Sequence, residues 1–284
     1  MAKAHATIHG AVSLVNAIAN QKGATLGIEL KVEATVETSP GKGITIQSEN
    51  QSLSSRLINK TVEKIVSKKD LEQNKISITL DSEIPTGYGL KSSSAISTAI
   101  AMACAKIFKP KLTDQQILLA GVDASIESKV SITGAYDDAC SCYYGGFNVT
   151  DNAKKKRIQF EKAPSNLTAI IFVPKNRKRG NLKKLKIFSS IFEKAWELAR
   201  KSNYWDSMII NGLITSSILS SEPQIITNLI EKGAIGASVS GNGPSIAAIT
   251  KKENEAAIKK VFSSLEGHII VSKINNKKAE VHEV

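Results

Sequence analysis

The 284-residue chain carries 38 Lys+Arg against 26 Asp+Glu, a formal net charge of +12, with 42% hydrophobic and 23% charged residues. This balance excludes a disordered chain, and three cysteines exclude a small secreted scaffold built on disulfides. No apolar run reaches the roughly 18 residues of a membrane-spanning helix, and the opening MAKAHATIHGAVSLVNA makes a poor signal peptide, so the expectation is a cytoplasmic globular protein of one large or two ordinary domains.

In chain order, residues 26–38 alternate apolar and polar, as a half-buried strand does, and Pro40, Gly41 and Gly43 mark a turn into a partner strand at 44–47. Leu57, Ile58, Val62, Ile65 and Val66 put an apolar face on a helix over 54–69. A strand over 75–85 leads into a glycine loop, and 92–108 is small and apolar nearly all round, which predicts a buried helix. Residues 112–130 give a further helix or helix pair with Thr113 as N-cap.

The polar, basic stretch 150–164 is the expected boundary between domains 1–155 and 156–284. Beyond it lie a buried strand at 167–174 and helical patterns at 187–202, 206–219 and 224–232. A strand, tight turn and strand over 237–250, a helix at 253–264 and a last strand at 268–274 follow. This mixed order predicts an α/β or α+β fold.

The positive charge is clustered, at Lys154 to Arg157 and again between Lys175 and Lys186, where seven basic residues meet no acid. Such a run reads as a solvated segment, as a loop over a polyphosphate or other anionic ligand, or as a nucleic-acid patch, although no nucleic-acid-binding motif accompanies it. His5 and His9 lack the glutamate of a zinc-protease helix, and Cys140 and Cys142 have no second pair, so buried packing is the expected role of these two cysteines.

Three segments have the makings of a site. In IPTGYGLKSSSA (84–95), Gly87 and Gly89 permit close backbone approach, and three serines open a helix whose N-terminal N–H groups favour an anion. It is no Walker A loop, because Leu90 separates Gly89 from Lys91, and a plain turn with an N-cap is the other reading. In ITGAYDDACSCYYGG (132–146), the adjacent Asp137 and Asp138 could hold a divalent cation or accept a proton, or simply cap a helix. In GASVSGNGPSIAAI (236–249), Gly-Asn-Gly-Pro makes a constrained turn between strands, a structural hairpin or a surface for Ser240, Gly241, Asn242 and Gly243 to meet a ligand.

Together and in this order, the three segments resemble the motifs of the GHMP kinase superfamily. The superfamily's phosphate loop, Pro-x-x-x-Gly-Leu-x-Ser-Ser-x-Ala, matches Pro85, Gly89, Leu90, Ser92, Ser93 and Ala95, with Lys91 where a small residue is usual. Within the superfamily the chain is most similar to the archaeal shikimate kinases, in GAVSLVNAIANQKGATLGIEL (10–30) and in GAYDDACSCYYGG. The usual first-motif Pro and Gly-Glu-His elements are missing from HATIHGAVSLVNA.

The resemblance implies a two-domain α+β fold with ATP and substrate in the cleft between the domains. It implies a kinase of aromatic amino acid biosynthesis that phosphorylates the 3-hydroxyl of shikimate, with homoserine or mevalonate as alternative acceptors. Counting back from the Gly145-Gly146 pair selects Asp138 as the catalytic aspartate, and eleven residues further back Glu127 joins Ser93 as the expected Mg²⁺ ligands.

Lys91, where the family has a small residue, is expected to act in catalysis by reaching a phosphate as a mobile point charge. Pro85, Gly87, Tyr88, Gly89, Leu90, Ser92, Ser93, Ser94, Ala95, Gly241, Asn242 and Gly243 are the expected ATP contacts, and Asp137 and Asn16 the expected substrate contacts. Lys22, Arg177, Lys178 and Arg179 are equal candidates for the cation that meets the substrate carboxylate. No nucleic-acid or membrane partner is expected.

Overall fold

A computed structural model describes residues 1–48, 53–177, 180–219 and 221–284. The chain opens with β1 (Lys3–Val15) and β2 (Lys22–Pro40), paired antiparallel along nearly their whole length. In the first half of β1 alternate residues are buried, with Ala4, Ala6 and Ile8 inward, whereas from Gly10 onward both faces are covered. The strand therefore begins on a one-sided sheet and ends sandwiched in the middle of the molecule.

β3 (Gly43–Ser48) follows, then α1 (Ser55–Ile65), α2 (Lys68–Gln73) and β4 (Asn74–Ser82). β3 is not the partner of β2: it pairs parallel to β4, and β4 takes the edge of β2 from Val32 to Pro40. Alternation marks a strand but not its neighbour, and the chain returning through α1 and α2 puts Ile76, Ile78 and Leu80 of β4 on the core beside Val32, Ala34 and Val36. The helix expected over 54–69 ends at Ile65, because Ser67 caps a new helix by accepting the Asp70 N–H.

α3 (Ser92–Phe108) is buried on nearly every side, and its alanines let it lie close against β1 and β2. α4 (Asp114–Glu127) starts at a reciprocal capping box between Thr113 and Gln116. α5 (Tyr136–Tyr144) packs under the same sheet. β5 (Phe147–Asp151) and β6 (Lys156–Glu161) form a hairpin, with β5 on the first part of β2. The stretch expected to be a boundary thus contributes to the first sheet, and the chain leaves that sheet between Glu161 and Leu167.

The second sheet is antiparallel, in the order β10-β7-β9-β8. It comprises β7 (Leu167–Pro174), β8 (Ala234–Val239), β9 (Ile246–Lys251) and β10 (Gly267–Lys273). A 3-10 helix (Leu182–Phe188) and α6 (Ser189–Arg200), α7 (Tyr204–Ile218), α8 (Pro223–Glu231) and α9 (Glu255–Ser263) complete this half. The last strand, β11 (Glu280–Glu283), returns to the first sheet beside β1, so the halves are not sequential blocks. Trp196 of α6 donates its indole N–H to the Thr150 carbonyl at 3.0 Å, and α7 packs on both β8 and β1, which fastens the halves together. Among the described residues no helix is long and apolar enough to cross a membrane.

Phe262 of α9 is fully buried and stacks on Phe172 of β7 with ring centroids 5.5 Å apart. Phe262→Ala is expected to lower unfolding free energy by about 3–5 kcal/mol. The half-exposed Val271→Ala should change it by about 0.5 kcal/mol or less. Urea titration of the two variants checks the contrast.

Candidate active site

The loop between β4 and α3 runs through Gly87 and Gly89, both at positive φ, to Lys91, which is also left-handed at φ 69° and ψ 21°. Gly89 is required by contact as well as by conformation: a Cβ there would lie 1.9 Å from the Ser240 carbonyl oxygen of the turn after β8. Lys91 occupies the N-cap of α3 without a side-chain cap, so the N–H groups opening the helix are presented by Ser92, Ser93 and Ser94. Ala135 is likewise left-handed and uncapped at the start of α5. Two helix N-termini therefore meet one cleft, where their dipoles favour negative charge.

The Lys91 side chain is 3% exposed and Nζ lies 2.8 Å from Asp138 Oδ1. It also donates to Ser13 Oγ of β1 at 2.7 Å. Ser13 Oγ accepts a second bond from the Gly241 N–H at 2.9 Å, and Asn16 Nδ2 donates to the Gly241 carbonyl at 2.7 Å. Asn16 Oδ1 in turn accepts the Ile18 N–H, so the amide of Asn16 is spent on shaping the turn. Ser240 Oγ accepts the Ser13 N–H and donates to the Gly89 carbonyl at 2.8 Å. All three sequence motifs are thereby tied together through β1, and Lys91 is a fixed, buried ion-pair partner rather than a mobile charge.

Asp137 is buried, and Asn152 grips it from β5's end. Its N–H donates to Asn152 Oδ1 and its Oδ1 accepts from Asn152 Nδ2 at 2.7 Å. Burial, and then the charge of Asp138, push its carboxyl up to about 7, against the opposing pull of Lys91 and Asn152. Gly23 makes room for it, since a Cβ there would fall 2.4 Å from Asp137 Oδ2.

The cleft has a volume of about 450 Å³. Of the expected residues, Asn16, Gly87, Gly89, Lys91, Ser92, Ser93, Ser94, Asp137, Asp138, Gly241 and Asn242 line it. Pro85, Tyr88, Leu90, Ala95 and Gly243 do not: Leu90 and Ala95 are core, and the Tyr88 carbonyl accepts the Ser245 N–H. Glu127 is also away from the lining, because its carboxylate pairs with Lys64 of α1 and is half exposed. Ser13, Ser125, Ser131 and Thr133 line the cleft although nothing in their spacing singled them out.

The carboxylate and hydroxyl side chains of the lining offer oxygen donors, and the lining holds no His or Cys. That chemistry suits Mg²⁺, a hard ion that commonly takes one or two protein ligands and shares the rest of its shell with phosphate and water. Among the described residues no three His, Cys, Asp or Glu side chains gather to hold a metal by themselves. Cys104, Cys140 and Cys142 are free and buried, as packing residues are.

Lys91 is the one cation in the cleft lining among the described residues. Lys22 is engaged by Glu193 and sits 4.7 Å over the Trp196 ring, and the Arg177 guanidinium lies 4.9 Å over Tyr88 of the phosphate loop. Lys178 and Arg179 lie outside the described residues. The basic segment reaches the cleft at Leu182, while Lys183, Lys184 and Lys186 are exposed.

The sequence matches the family model for the GHMP kinases N terminal domain over residues 56–146 and that for the GHMP kinases C terminal over 223–266. It is 37% identical to a shikimate kinase of Methanosarcina acetivorans over 282 residues, covering 97% of this chain and 95% of the relative. Among solved structures, a homoserine kinase from Cytophaga hutchinsonii superposes with a TM-score of 0.75 at 20% identity, covering 98% of this chain and 97% of that one. The Methanococcus jannaschii mevalonate kinase gives a TM-score of 0.75 at 16% identity, with 96% and 98% covered. These structures share the fold, a two-domain α+β architecture with the cleft at the junction.

Because the Asp137 carboxyl is raised, the native state keeps a proton that the unfolded chain releases above about pH 4. Its contribution to stability is complete below that pH and is lost as pH rises through about 7. Asp137→Asn keeps the acceptor for Asn152 and removes the titration. Urea midpoints should therefore fall less between pH 4 and pH 8 in the variant than in the wild type.

Proposed function

The chain belongs to the GHMP kinases, in the family of the archaeal shikimate kinases, and from that premise we propose that it transfers the γ-phosphoryl group of ATP to the 3-hydroxyl of shikimate, giving shikimate 3-phosphate and ADP. The observation that carries this reading is the Lys91–Asp138 pair, held at 2.8 Å beside a helix N-terminus in a cleft of oxygen donors.

In this proposal the N–H groups at the start of α3 and the hydroxyls of Ser92, Ser93 and Ser94 receive the nucleotide phosphates, and the Gly241–Asn242 turn closes over them. Asp138 accepts a hydrogen bond from the acceptor hydroxyl, aims it, and receives its proton as the new O–P bond forms and the bond from the γ-phosphorus to the leaving ADP oxygen breaks. The Lys91 ammonium balances the charge of Asp138 where anionic substrates must approach. Asp137, fixed by Asn152, faces the acceptor side with a carboxyl that burial and the charge of Asp138 raise above the usual carboxylate range.

Magnesium would enter with the nucleotide and neutralise phosphate charge. Ser93 would hold it, and Glu127 would join only after releasing Lys64. Phosphoryl transfer is mostly positioning and charge stabilisation, so a site with few reacting groups suffices.

A coupled ADP-release assay with Mg²⁺-ATP and shikimate, homoserine or mevalonate tests the reading. ADP release with shikimate alone is expected, and activity confined to another acceptor would discard shikimate while keeping the kinase. Asp138→Asn should lower turnover by roughly 10²-fold or more with ATP affinity nearly unchanged. Wild-type turnover in that variant would remove Asp138 from the chemistry.

A further inference from the structure

We infer that Ser13 of β1 is a positioning residue for phosphoryl transfer, holding the Lys91 ammonium against Asp138 and the Gly241 turn against the phosphate loop through one hydroxyl. The inference rests on the kinase reading above and adds a residue that none of the three motifs contains.

Ser13 is 2% exposed, yet it lines the cleft. Its oxygen accepts from Lys91 Nζ at 2.7 Å and from the Gly241 N–H at 2.9 Å, which uses both lone pairs of a hydroxyl. No apolar side chain of that size could supply either contact. Lys91 stands where backbone conformation favours glycine, at φ 69°, a placement that is strained for a non-glycine residue. A buried ammonium at such a position needs partners that hold it, and among the described residues Asp138 and Ser13 do so. Without Ser13 the ammonium retains the ion pair but loses the contact that fixes its direction. The turn also loses the bond to Gly241, leaving the Asn16 bond to the Gly241 carbonyl and the Ser240 bridge to Gly89.

The test is a double-mutant cycle on Ser13→Ala and Lys91→Met, with turnover, KM for both substrates, thermal midpoint and affinity for a non-hydrolysable ATP analogue measured for each. Ser13→Ala should lower kcat about tenfold, leave KM for the acceptor unchanged, and weaken analogue binding about two- to tenfold by loss of the Gly241 bond. Because Ser13 acts through Lys91, the double variant should be no slower than Lys91→Met by more than about twofold.

Independent, multiplicative losses would overturn the proposal, as would an unchanged kcat in Ser13→Ala. Ser13→Cys keeps the shape with a weak acceptor and should reproduce the loss. It serves in place of Ser13→Ala if that variant does not fold. If the wild type releases no ADP with shikimate, homoserine or mevalonate, the kinase reading fails on its own. Ser13 is then judged by analogue binding, and an affinity unchanged in Ser13→Ala and Ser13→Cys overturns its role.

Discussion

Two charges that lie almost out of water have to be kept there, and much of the cleft follows from how Lys91 and Asp138 manage it. Burying an unpaired ammonium or carboxylate costs several kcal/mol, and breaking such a pair by removing one partner costs about 3–5 kcal/mol. The pair survives because Lys91 is fixed at both ends. Its backbone is locked as the N-cap of α3, and its ammonium is divided between Asp138 Oδ1 and Ser13 Oγ. Asp138 in turn sits in the first turn of α5, where the helix dipole favours its charge.

The same contacts explain why the two halves of the molecule meet where they do. β1 is the strand on which both rest: the first sheet is built around its pairing with β2, and α7 of the second half packs against it. Ser13 and Asn16, at and just beyond its end, carry the hydrogen bonds that receive the Gly241 turn. Close approach is possible because Gly89 has no side chain where the Ser240 carbonyl arrives. A cleft assembled this way has little freedom in its walls, as catalysis by positioning requires.

Its electrostatics are economical. Among the described residues three ionisable groups line the cleft, and the carboxyl of one, Asp137, is raised by burial beside Asp138. The attraction for anions comes from helix N-termini and one shared ammonium rather than from a field of lysines. Lys183, Lys184 and Lys186 are exposed and line no part of the cleft.

Local pattern alone settled a good part of this. The small residues of 92–108, with no polar face, dictated a buried helix, and Thr113 as N-cap marked the start of α4. The glycines and serines of 84–95, the Asp pair and the Gly-Asn-Gly-Pro turn stood out as candidates because site chemistry needs particular residue types close together in sequence, and residues of all three line one cleft. What pattern could not give was neighbourhood. Alternation in 44–47 marked a strand but not its parallel pairing with β4, and Glu127 stood at a suggestive spacing yet turned to Lys64. Ser13 carried no signal, since an isolated serine in an apolar strand gains meaning only from groups 78 and 228 residues away. Sequence fixes what the chain can do over a turn or a strand. Which distant groups share one buried oxygen is decided by tertiary packing, because desolvation and hydrogen-bond geometry act through space.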